Sequence, residues 1–196
     1  MGEKQIPSDL NSTPWEVSII NNENIRVFGI TLGKTTIQDA NQILASFPET
    51  RLIVDGSQAK LVAVYDELII GGFIASIELS YALDADTLKP LVDKYDIMMD
   101  KNYGFLDKDT EMALLSTVIN GLIYRPSIDY DIDSILQRFG QADSEVKATD
   151  TLTQLNYPDL GLEIIIDSQG PDLFKYQPLS KLTVPAKKPD NRQIAN

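Results

Sequence analysis

Shifted by 92 positions, the chain lies on top of itself. Asp39, Ile43, Leu44 and Phe47 fall on Asp131, Ile135, Leu136 and Phe139 without a gap. Upstream, Gly29 meets Gly121. Downstream, Val54, Tyr65, Leu68 and Ile74 meet Val146, Tyr157, Leu160 and Ile166. Self-similarity at a fixed offset means that one structural unit is written more than once. In 196 residues this leaves two units of about 90 residues, each large enough for a modest core.

The offset also organises the elements. Trp15–Ile20 and Ile25–Thr31 read as strands joined by the polar turn Asn21–Asn24, a hairpin pattern. Thr36 is placed to cap a helix, and Asp39 sits in its first turn, where a carboxylate suits the dipole. Ala40, Ile43, Leu44 and Phe47 then share one apolar face until Pro48 stops the helix. The second copy has Ile132, Ile135, Leu136 and Phe139 on its face and Gly140 as the stop, with Ser127 or Asp129 as the expected cap. Strand-like runs follow each helix, joined by Asp-Gly, Tyr-Pro-Asp and Gln-Gly-Pro turns.

The expected fold class is therefore α+β: two tandem repeats, each a helix packed on an antiparallel β-sheet, with a helical insertion between them. The divisions are an N-terminal linker over 1–14, repeat unit 1 over 15–81, the insertion over 82–118, repeat unit 2 over 119–178 and a polar tail over 179–196. Within the insertion, Asp84 or Asp86 caps a helix reaching about Asp96, and 108–118 reads as another.

Composition removes whole classes of chemistry. With 29 acidic against 17 basic residues the net charge is −12. Its densest basic pair is Lys187-Lys188, which argues against nucleic acid and anionic lipid as partners. The chain has no cysteine and no histidine, which excludes disulfides, thiolate sites, thiol nucleophiles and imidazole-dependent catalysis. No apolar run approaches the ~18 residues of a membrane-spanning helix. Met1-Gly2 before a polar, proline-containing run reads as a trimmed start, with a signal or anchor expected upstream.

The remaining polar motifs have ordinary structural readings. Asp100 to Glu111 imitates a calcium loop, but Gly104 stands where a ligand is needed and Phe105 where the turn needs glycine. The segment reads instead as an acidic loop entering a helix capped by Asp107 or Asp109. Asp129, Asp131 and Asp133 straddle a helix start and do not converge. Gly71-Gly72 reads as a bulge within a strand. No catalytic set, cofactor site or metal site is expected. Tyr103 and Phe105 stand out because they lie in the segment the repeat does not explain. They read either as interface anchors or as a cover for the seam between units. Trp15 has the same two readings, core or anchor.

The stretch Val27-Phe28-Gly29-Ile30-Thr31-Leu32-Gly33-Lys34-Thr35-Thr36, followed by Asp39-Ala40 and Ile43-Leu44, resembles the helix entry of small bacterial envelope lipoproteins of the outer-membrane-assembly (SmpA/OmlA) type. It is also similar to the β-lactamase inhibitory protein fold, which has two such units in tandem. Trp15-Glu16-Val17, Gly71-Gly72 and Tyr157-Pro158-Asp159-Leu160-Gly161-Leu162 look like an uncharacterised group of proteobacterial proteins. The chain departs from these patterns in having Phe47-Pro48 for Leu-Gly-Pro and no lipid-bearing cysteine. The resemblance implies an envelope protein, periplasmic or outer-envelope, acting by protein–protein interaction through a concave sheet surface or the central insertion. An acidic surface would steer it toward a basic patch on an envelope partner. The alternatives are a small-molecule or lipid-binding module, which needs an apolar cavity between helix and sheet, and a hydrolase independent of His and Cys, which needs two facing carboxylates.

Overall fold

The computed structural model describes residues 12–98 and 101–179. The expected linker as far as Asn11, the first residue of the calcium-loop imitation and the tail after Leu179 lie outside them. Among the described residues the protein is a mixed α/β structure, with four α-helices and sheets whose neighbouring strands all pair antiparallel.

The chain opens with a small sheet of β1 (Ser18–Ile19), β2 (Ile25–Val27) and β3 (Ile30–Thr31). The expected single strand 25–31 is broken by a two-residue turn, in which Phe28 has φ +50° and Gly29 φ +76°. Both positions of such a turn require the left-handed region, which glycine tolerates and phenylalanine does not. Burial offsets that strain. The Phe28 ring is 2% exposed and packs on Tyr124 and Tyr176, with centroids 5.1 and 6.3 Å away.

Helix α1 (Ile37–Ile43) follows, and the expected cap is present. Thr36 accepts the Asp39 N–H, and the Asp39 carboxylate accepts from Thr36 in return. The strands β4 (Glu49–Asp55), β5 (Gln58–Ile70) and β6 (Phe73–Tyr81) then form a meander. Gly71 and Gly72, with φ +58° and +87°, make the β5–β6 turn. The bulge expected there sits instead between Tyr65 and Leu68. The insertion supplies α2 (Ala85–Lys94), capped by Asp84, and α3 (Lys108–Ala113), capped by Asp107. Between them is a strand that the helical reading missed, β7 (Tyr103–Phe105).

Strand β8 (Ile119–Pro126) leads to α4 (Ile132–Phe139), and then to β9 (Ser144–Lys147), β10 (Leu152–Tyr157), β11 (Leu162–Asp167) and β12 (Leu173–Tyr176). The cap of α4 is Asp131, which accepts the Ser134 N–H at 2.8 Å. Ser127 and Asp129, the expected candidates, lie too far upstream because the helix starts one turn later than in the first half. Nine strands form one continuous sheet in the order β7-β4-β5-β6-β8-β12-β11-β10-β9. The sheet is thus shared by both halves of the chain, with β8 holding β6 on one side and β12 on the other.

One core underlies this sheet. Alternate strand residues such as Leu52, Tyr65, Ile77, Tyr124, Leu155 and Phe174 join Ile37, Ala40 and Leu44 of α1 and its C-cap. Leu88 of α2 and Ile135 of α4 belong to the same cluster, and so do the apolar residues of the opening hairpin. Phe47 is the exception to the sequence reading. The helix closes at Leu44, Ala45 turns to φ +48°, and the Phe47 side chain emerges 86% exposed. Its register partner Phe139 remains helical and packs on Tyr157 and Phe174 at 5.6 and 6.2 Å. These two residues should therefore respond differently to truncation. Phe47→Ala should change stability by no more than about 0.5 kcal/mol, whereas Phe139→Ala should cost roughly 2 kcal/mol or more. Urea unfolding of the two variants checks this, and equal losses would contradict the packing described.

Candidate functional site

Strand alternation divides the sheet into a covered and an open face. Leu52 of β4 lies in the core, so Arg51 and Ile53 point to the opposite face. In the β4–β7 register Arg51 faces Phe105, Leu52 faces Gly104 and Ile53 faces Tyr103. Tyr103 and Phe105 consequently lie on the open face, at the edge of the sheet. With β4, β5 and β6 between them and β8, they do not cover the seam. Gly104 points inward, and a Cβ there would run into the Asp96 carbonyl. Only glycine lets the chain leaving α2 pass this close to the edge strand.

The two aromatic rings meet edge to face, with centroids 5.4 Å apart, and the Arg51 guanidinium lies 5.0 Å above Tyr103. Phe105 is 46% exposed. An edge-to-face, cation-capped aromatic pair that stays accessible has the composition of a binding anchor.

Further along this face the charges are paired. Glu78 of β6 receives Lys60 Nζ at 3.0 Å and Arg125 Nη2 at 3.1 Å. Lys175 of β12 reaches Glu163 of β11 at 2.9 Å. The Glu78 side chain is only 9% exposed, while those of Lys60 and Arg125 are 52% and 32% exposed. Val62 and Val64 are buried beside this network without joining the main core. Burial pushes the Glu78 carboxyl upward, but the hydrogen bonds and charges of Lys60 and Arg125 outweigh it and hold the group below its ordinary value. Sequence reading missed this trio because its members lie 18 and 47 residues apart. The one available signal was a charge at Glu78 inside the otherwise uncharged β6.

Trp15 lies elsewhere. It is half-buried beside α4, edge-on to Tyr130 at 6.4 Å, with the Arg138 guanidinium 4.7 Å above its ring. Trp15 therefore does not share a surface with Tyr103 and Phe105. The acids Asp107 and Asp131 are spent on helix caps. Among the described residues, no group of three or more carboxylates is arranged to hold a metal ion, and no helix is long and apolar enough to cross a membrane.

The depressed Glu78 carboxyl makes a signed prediction. A group whose folded pKa lies below its unfolded value adds stability above the unfolded value, near 4.5, and loses it as pH falls through the folded value. The stability advantage of the native chain over Glu78→Gln should be constant near neutrality and shrink below about pH 4.5. Urea titrations across that range check it, and an advantage unchanged at low pH would count against the trio.

No protein-family profile, curated protein or solved structure matches this chain.

Proposed function

We propose that the protein is a non-enzymatic module that binds a protein partner on the open face of its sheet, and that it is built from two tandem helix-on-sheet units. The observation that carries the binding reading is the segregation of layers. Helices and opening hairpin contribute to a single core against one face, leaving the other with an aromatic pair at its edge and paired charges toward its middle. Charges that already satisfy one another cost less to desolvate than isolated ones. Such a surface is suited to being covered by another protein.

The two-unit reading is supported by element order. A helix followed by an antiparallel meander occurs as α1-β4-β5-β6 and again as α4-β9-β10-β11. The register partners Tyr65 and Tyr157 both send their hydroxyls toward the helix of their own half. Tyr65 donates to Asn41 Oδ1 at 2.6 Å and Tyr157 to the Gly140 carbonyl at 3.1 Å.

The resemblance to envelope lipoproteins supports a place in the periplasm or outer envelope. A net charge of −12 would speed encounter with a basic partner surface and make that encounter salt-dependent. The immobilised chain should retain a specific protein from solubilised envelope at moderate salt and release it at high salt. Retention should fall at least about tenfold in Tyr103→Ala/Phe105→Ala, the usual size of a lost aromatic anchor. Retention unchanged in that variant removes the β7 edge from the binding surface.

A further inference from the structure

We propose a second binding site, a cleft beside α4 that takes a small carboxylate with an apolar body. The cleft encloses about 340 Å³ between α4, the Gly71-Gly72 turn, the end of β12 and the segment containing Thr13 and Trp15. That volume lies near the lower end of the roughly 300–1,000 Å³ of small-molecule sites. It is also a cavity between a helix and the sheet, the feature that a ligand-binding alternative requires.

Its walls are fixed by contacts distant in sequence. Tyr176, fully buried, donates its hydroxyl to the Pro14 carbonyl at 2.7 Å and so ties the N-terminal segment across the sheet. On the other side, the buried Asp172 carboxylate accepts the Tyr130 N–H at 2.7 Å and the Asp167 N–H at 3.2 Å, holding the loop before α4. Gly71, at φ +58°, turns the chain beside Thr13. The cleft is thus shaped by the folded framework before any ligand arrives.

The lining states the ligand chemistry. Trp15, Phe73, Phe139 and Phe174 supply an apolar body. Two polar groups on the same lining lack a hydrogen bond among the described residues. Thr13 Oγ1 is buried without one, a condition that native proteins rarely leave unfilled. Arg138 is the second. Arg26 donates to Thr31, Arg51 to Glu49 and Arg125 to Glu78, whereas Arg138 makes no hydrogen bond among the described residues and lies over the Trp15 ring. A guanidinium over an indole face keeps N–H groups available, and these match a carboxylate. One cation and one hydroxyl suit a monoanion. A phosphate dianion would call for a second cation, and among the described residues the lining contains no lysine.

Trp15 is the sole tryptophan, so its emission reports on the cleft alone. The full chain is titrated with cyclohexanecarboxylate and adamantane-1-carboxylate, and in parallel with the two matching carboxamides. Calorimetry on the same samples gives affinities independent of the fluorophore. Both carboxylates should give a saturable change in Trp15 emission, with each carboxamide at least about tenfold weaker, the scale of a lost charge-assisted hydrogen bond. Arg138→Gln, with an unchanged circular-dichroism spectrum, should abolish the preference for the acid. Phe73→Ser should weaken acid and amide alike. No saturable response to either carboxylate, or amides binding as tightly as acids, or a preference that survives in Arg138→Gln, overturns the assignment.

Discussion

Everything in this fold depends on β8 having a hydrogen-bonded neighbour on both sides. It pairs with β6 from Ala75↔Pro126 to Tyr81↔Ile119, and with β12 from Phe174↔Tyr124 to Tyr176↔Leu122. Without it the two meanders would each present a raw edge to water, a state that invites wrong pairing. With it they share one sheet and one core. The start of β8 is tied further by Gly33 donating to the Ile119 carbonyl at 2.7 Å and the Ile119 N–H donating to Thr35 at 2.9 Å. Above the junction sits Phe28, whose left-handed backbone is held by the ring it buries between Tyr124 and Tyr176. The strain of that turn and the packing of the seam are therefore one energetic arrangement.

The internal register made the covered layer legible in part. The cap at Thr36, the apolar stripe of α1 and the meander after it follow from local rules that need no tertiary information. Register alone misleads where the two halves differ. Asp39 and Asp131 are aligned, yet Asp39 closes a capping box from inside its helix while Asp131 is itself the cap. Phe47 and Phe139 are aligned, yet one is exposed and the other packed, because α1 is a turn shorter at its C-terminal end. The fusion of the sheet was not legible, because it rests on long-range pairing by β8, whose sequence is no different in kind from the other strands.

The candidate surfaces were legible to different degrees for the same reason. Tyr103 and Phe105 stood out as aromatics in a charged segment, but their strand and its open face come from pairing with β4. The Lys60–Glu78–Arg125 trio and the polar groups beside Trp15 are assembled from segments far apart in the chain. Both surfaces depend on the same framework. The open face exists because the helices and hairpin crowd the other side, and the cleft exists because Tyr176 and Asp172 pin two loops against α4.

The claim that most needs measurement is that the halves share one cooperative sheet through β8. Native-state hydrogen exchange resolved by residue tests it directly, since amides opened only by global unfolding share a single free energy. The account predicts that the slowest amides of β6, β8 and β12 exchange with one common free energy and one denaturant dependence. Two separate free energies, one for the first meander and one for the second, would show that the halves unfold independently and would contradict it.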